Sequence, residues 1–178
     1  MTKYIALLRG INVGGNNKVE MSKLKKSFES LGYEKVSTYI NSGNIFFETK
    51  EKDRVKLVRE IEKVLKKDFK LELRVVIRDS KDINKICKKV SLDWKNDDEE
   101  RTEVLFLWDE FDNKNTLKLI LNNPDVDNLI YIPGAIVWNV KRINYSKSGM
   151  RKFIGTKVYK NITGRNINTV RKINGLME

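Results

Sequence analysis

The chain of 178 residues has no histidine, a single cysteine (Cys87) and two prolines. One cysteine cannot form an intrachain disulfide, so the fold must rest on its apolar core. Without histidine, metal ligands reduce to carboxylates, amides and one thiol, which argues against a structural zinc site, and no metal ligand set is assigned. The usual general base of acid–base catalysis is also missing. Nowhere do about 18 apolar residues run together, so a membrane helix is not expected. The opening MTKYIALLRG holds a short apolar stretch broken by Arg9 and lacks a small-residue cleavage pattern. A cytoplasmic protein without membrane contact is the expectation.

Positive charge is present in excess, +12 overall, and it is unevenly placed. Residues 1–90 carry 22 basic and 12 acidic groups, residues 91–140 carry 4 and 11, and residues 141–178 carry 10 and 1. A basic surface suits a phosphate-bearing small molecule or nucleic acid. An acidic middle can equally neutralise its flanks within the fold. The preference for lysine over arginine, 26 to 10, is also what an AT-rich coding sequence produces.

Apolar periodicity and turn chemistry give the order of elements. Tyr4 to Leu8 suits a central strand. Ser22 offers a cap to a helix with Leu24, Phe28 and Leu31 on one face, stopped by Gly32. Val36–Ile40 and Ile45–Glu48 read as a hairpin about Asn41, Ser42, Gly43 and Asn44. Asp53 can cap a second helix bearing Val55, Val58, Ile61, Leu65 and Phe69, and Leu71–Ile77 closes as a strand. The order βαββαβ is that of a ferredoxin-like unit, an antiparallel sheet with both helices on one face.

The second half repeats this loosely. A linking helix from Asp79 or Ser80 to Lys89 leads into the acidic connector 93–101. Then come a strand at 102–108, a short helix at 116–121, a hairpin of 129–132 with 135–140 about Pro133 and Gly134, and short helices near 148–153 and 166–175. The expected fold class is α+β with two tandem ferredoxin-like units: 1–78, a link over 79–101, and 102–178 ending in a helix. Trp94 in the connector is a candidate partner contact, and a homodimer is compatible with the sequence.

In a βαββαβ unit the loop after the first strand and the turn of the hairpin share one edge. The segment ALLRGINVGGNNKVEM, 6–21, therefore meets the turn 41–44. Gly10, Gly14 and Gly15 do not give the dinucleotide spacing G-x-G-x-x-G. Gly10 and Gly15 have the Walker separation, but Asn16 and Asn17 stand where its Lys and Ser or Thr belong. What remains is a glycine pair able to turn backbone N–H groups inward, with Arg9 and Lys18 on either side. The candidate ligand-binding residues are Arg9, Gly10, Asn12, Gly14, Gly15, Lys18, Asn41, Ser42, Gly43 and Asn44. Arg165 and Asn166, ahead of the apolar set Ile167, Val170 and Ile173, form a second point favourable to anions.

The segments LLRGINVGG (7–15), TYINSGN (38–44) and TGRNINT (163–169), in this order across the chain, resemble the domain of unknown function 1697 family. The resemblance implies a small bacterial protein with a tandem ferredoxin-like fold and no established activity, and it assigns no catalytic residue or cofactor. The family commonly carries tryptophan where this chain has Ile167, so an aromatic stacking role there is not implied.

Three functions are in view. The first is binding of a nucleotide-like molecule or a nucleic-acid backbone at the Gly/Asn rim. The second is a histidine-independent enzyme acting on a phosphorylated substrate, with Ser42 and Glu20 as its candidate groups. The third is a protein-interaction module. Cys87, in a lysine-rich helix, reads as a packed apolar residue more readily than as a nucleophile. Phe46 and Phe47 face opposite sides of a strand, so one of them is expected in the core.

Overall fold

The structure, a computed structural model, describes residues 1–15, 17–153 and 155–178; Asn16, counted above among the loop asparagines, lies outside them. The chain divides into two compact units, Met1–Ser80 and Lys81–Leu176.

The first unit runs β1 (Thr2–Leu8), α1 (Met21–Glu29), β2 (Glu34–Tyr39), β3 (Asn44–Thr49), α2 (Arg54–Phe69) and β4 (Val75–Asp79). Its strands are antiparallel in the order β2-β3-β1-β4, the ferredoxin-like arrangement. Alternate residues of the two central strands, Tyr4, Ala6, Leu8, Ile45 and Phe47, pack with Leu24 and Phe28 of α1 and Leu57, Ile61 and Leu65 of α2. Burying each of the larger side chains contributes about 1.5–3 kcal/mol. Phe47 centres an aromatic cluster with Phe28, Tyr33 and Tyr4. Phe46, on the opposite face, is buried as well.

Three local expectations change. Glu20, not Ser22, stands at the cap of α1, and it makes no side-chain cap bond. The buried stripe of α2 is Leu57, Ile61 and Leu65, spaced by four, while Val55 is exposed. Asp53 does cap α2, accepting from the N–H groups of Val55 and Lys56. The closing strand lies later than 71–77: Leu71 and Leu73 reach the core from irregular chain ahead of β4.

In the second unit α3 (Ser80–Lys89) is followed by β5 (Glu100–Leu107), 3₁₀ helices at Asp109–Phe111 and Lys114–Leu119, β6 (Asp127–Ile132) and β7 (Ala135–Lys141). A 3₁₀ helix at Arg142–Lys147, α4 (Met150–Phe153), α5 (Lys157–Lys160), β8 (Ile162–Asn166) and α6 (Ile167–Met177) complete it. The strand order β6-β7-β5-β8 repeats that of the first unit. The helix expected at 116–121 is the 3₁₀ helix ending at Leu119. β8 falls where the sequence suggested only a cap and a cation, because ITGRN carries no apolar alternation.

The repetition extends to single hydrogen bonds. Leu8 N–H donates to Gly43 O at 2.9 Å and Leu107 N–H to Gly134 O at 3.1 Å. One residue on, Arg9 N–H meets Arg74 O and Trp108 N–H meets Asn161 O. Ile5 pairs with Arg78 and Val104 with Arg165, so each unit holds a buried arginine at the same register of its last strand.

Asp127 fastens the second unit. It accepts from Asn123 N–H at 2.8 Å, Gly149 N–H at 2.9 Å and the Ser148 hydroxyl at 2.5 Å. Burial pushes its carboxyl up, but these bonds outweigh it and hold the group below the ordinary aspartate value. Gly149 fits because it has no side chain: a Cβ there would lie 1.8 Å from Leu121 O.

Candidate functional site

The loop after β1 and the turn between β2 and β3 meet, as the topology requires, and one side chain joins them. Asn12 donates through Nδ2 to Asn41 O and to Val19 O, each at 2.9 Å, and accepts at Oδ1 from Val19 N–H at 2.8 Å. It adopts φ 54°, a left-handed conformation that asparagine tolerates better than most residues. Asn17 closes the loop, with Nδ2 on Gly10 O at 2.9 Å and its carbonyl accepting from Asn12 N–H at 3.2 Å.

The turn is fixed in the same way. Asn44, fully buried, donates to Tyr39 O and to Ser42 Oγ, both at 3.0 Å. Gly43, at φ 78°, packs so closely that a Cβ would stand 2.8 Å from Leu8 Cβ and 2.9 Å from Ile11 Cδ1. Gly14 and Gly15 differ: they share positive φ, but nothing lies within 4 Å of where a Cβ would point. They form an exposed apex.

In sequence this apex is flanked by Arg9, half-buried, and Lys18, exposed. The backbone of Arg74, an exposed residue, lies beside that of Arg9, its carbonyl receiving the Arg9 N–H at 3.2 Å. The sequence reading missed Arg74. The topology held the signal, since the start of the last strand must lie at the same edge as the end of the first. Three carboxylates lie close to these segments in the chain or the fold: Glu20 pairs with Lys23 at 3.0 Å, Glu72 pairs with Lys66 at 2.7 Å, and Glu62 accepts from the N–H of Val75, the residue after Arg74, at 3.1 Å.

Arg165 and Asn166 belong to the second unit. Arg165 is 8% exposed and donates to Thr163 Oγ1 at 3.0 Å and Gly164 O at 2.8 Å. Burial pushes its guanidinium down to about 10, still charged at neutral pH. Asn166 caps α6 by accepting from Thr169 N–H at 2.9 Å, and Ile167 is buried. Cys87 is half-buried with its sulfur 3.9 Å from Val170 O, and burial raises its thiol above the ordinary value. No group of three metal-ligating side chains occurs among the described residues, and none of their helices is long and apolar enough to cross a membrane.

Phe46 at 5% exposure and Phe47 at 0% leave neither ring open for a base, so the first sheet does not offer the aromatic platform by which related folds bind RNA.

Two ferredoxin-like α+β units in tandem, the first with a basic, asparagine-tied rim, define the class of protein. The family model described as "Protein of unknown function (DUF1697)" matches residues 1–138, and the chain belongs to that family. Among solved structures it is similar to the conserved bacterial protein SP0830 from Streptococcus pneumoniae, with 30% identity, 99% of each chain covered and a TM-score of 0.85. None of the curated proteins matches the chain.

Proposed function

We propose that the rim of the first unit binds a phosphate-bearing ligand in the cytoplasm. The observation that carries this reading is the division of labour within the rim. Asn12, Asn17 and Asn44 tie its backbone internally, while the Gly14–Gly15 apex stays exposed in a loop flanked in sequence by Arg9 and Lys18, with the backbone of Arg74 bonded to that of Arg9. A frame already fixed before binding loses little conformational entropy when a ligand arrives. Cations beside open backbone N–H groups are the usual means of holding phosphate oxygens.

A thermal-shift screen at low and moderate salt tests this, with nucleotides, sugar phosphates, pyrophosphate and short RNA and DNA as probes. A ligand at 100 times its Kd stabilises the native state by about 2.7 kcal/mol, several degrees for a chain of this size. The Arg9→Ala/Lys18→Ala double variant is expected to lose the shift. Oligonucleotides that bind through backbone phosphates alone would show a steep salt dependence. Absence of any shift with every phosphate compound, in a protein that melts cooperatively, overturns the reading.

A further inference from the structure

Two exposed apolar side chains occupy the same rim and contribute to neither core. Val13, next to Asn12, is 64% exposed, and Ile40, next to Asn41, is 48% exposed. The hydrogen bond from Asn12 Nδ2 to Asn41 O places their backbones on either side of one tie. Ile40 has φ 50°. For a β-branched residue this left-handed conformation is a strained outlier, which asparagine or glycine would largely avoid. The turn therefore keeps an isoleucine where its backbone favours a different residue and where packing gives it little.

A bare phosphate, pyrophosphate or sugar phosphate gains nothing from such groups. A ligand with a flat apolar face beside its phosphate would cover them while its anionic end met Arg9, Lys18 and Arg74. Resting on the phosphate reading above, we infer that the ligand class is a nucleoside phosphate, with its base laid against Val13 and Ile40. The cations specify the charge of the occupant, and the apolar pair specifies the rest of it.

The test is calorimetric titration of the full chain with the four nucleoside monophosphates, adenosine, ribose 5-phosphate and inorganic phosphate. Three proteins are compared: wild type, Val13→Ser/Ile40→Asn and Arg9→Ala/Lys18→Ala. At least one nucleoside monophosphate is expected to bind about 100-fold more tightly than ribose 5-phosphate. Val13→Ser/Ile40→Asn should remove most of that advantage and leave the ribose 5-phosphate affinity unchanged. Its melting temperature should not fall, because asparagine relieves the turn, so lost affinity would not reflect unfolding.

If ribose 5-phosphate binds as well as every nucleotide, or if the apolar double variant keeps the nucleotide advantage, the nucleoside assignment is overturned and phosphate binding stands. If adenosine binds as tightly as its phosphate, the phosphate reading falls and this inference with it. If nothing binds, both are overturned.

Discussion

Gly43 and Gly15 share a left-handed backbone, yet they carry different duties. At Gly43 the space is filled by Leu8 and Ile11, and its own carbonyl anchors the end of β1 by accepting from Leu8 N–H. At Gly15 there is only the conformational requirement. Gly15→Ala is expected to cost about 1 kcal/mol and Gly43→Ala about 3 kcal/mol or more, as backbone strain and overpacking add. Urea titrations of the two variants check this, and equal losses would show that the turn yields without disturbing β1. At this scale the sequence was partly legible. NSGN declared a turn, and the asparagines of the loop declared backbone bonding. That Asn12 would reach Asn41, or Arg9 meet Arg74, depends on contacts between segments distant in sequence, which no local pattern encodes.

Elements of the first unit were legible where apolar spacing and turn chemistry agreed, as in α2 with its Asp53 cap. They were blurred where core contacts come from irregular chain, as at Leu71 and Leu73. In the second unit α4 and α5 have only four residues each, too short to show a helical period. Such short pieces need tethers, and Asp127 provides one by holding the start of β6 to the chain entering α4. Its folded pKa is depressed, so its contribution is complete above the unfolded-state value of about 3.9 and is lost as pH falls through the lower folded value. Asp127→Asn, which turns an amide toward donors, should cost roughly 2 kcal/mol at pH 7. Denaturation from pH 7 to pH 2 should show the gap between variant and wild type closing at the acid end. A constant gap would mean that the carboxylate charge is not what matters.

For the whole molecule, the absence of histidine has a thermodynamic meaning. No side chain with an ordinary pKa between about 5 and 8 is present, so folded and unfolded states exchange few side-chain protons there. The melting temperature should stay nearly flat from about pH 5.5 to 7.5. Below about pH 4 it should fall as Asp127, Asp97 and Glu51 take up protons, Glu51 being held down to about 2 mainly by Lys56. In the alkaline range it should fall as Lys56 and Lys66, whose pKa values are raised by their carboxylate partners, lose theirs. A calorimetric series across pH tests this, and a step between pH 6 and 7 would refute it. The tandem plan was visible from element order alone, because strand and turn signals recur in sequence. The bond-for-bond repetition at Leu8 and Leu107 was not visible, since each bond joins a strand end to a turn distant in sequence, which no local pattern encodes.

The lone thiol of this chain also makes it a ready instrument. Cys87 is half-buried on α3 against Val170 of α6, with its thiolate disfavoured by burial. An alkylating reagent therefore reacts slowly with the closed form and quickly once α3 parts from α6. With no second cysteine to confuse the signal and no engineered label required, the rate of modification becomes a clock for the opening of that helix pair.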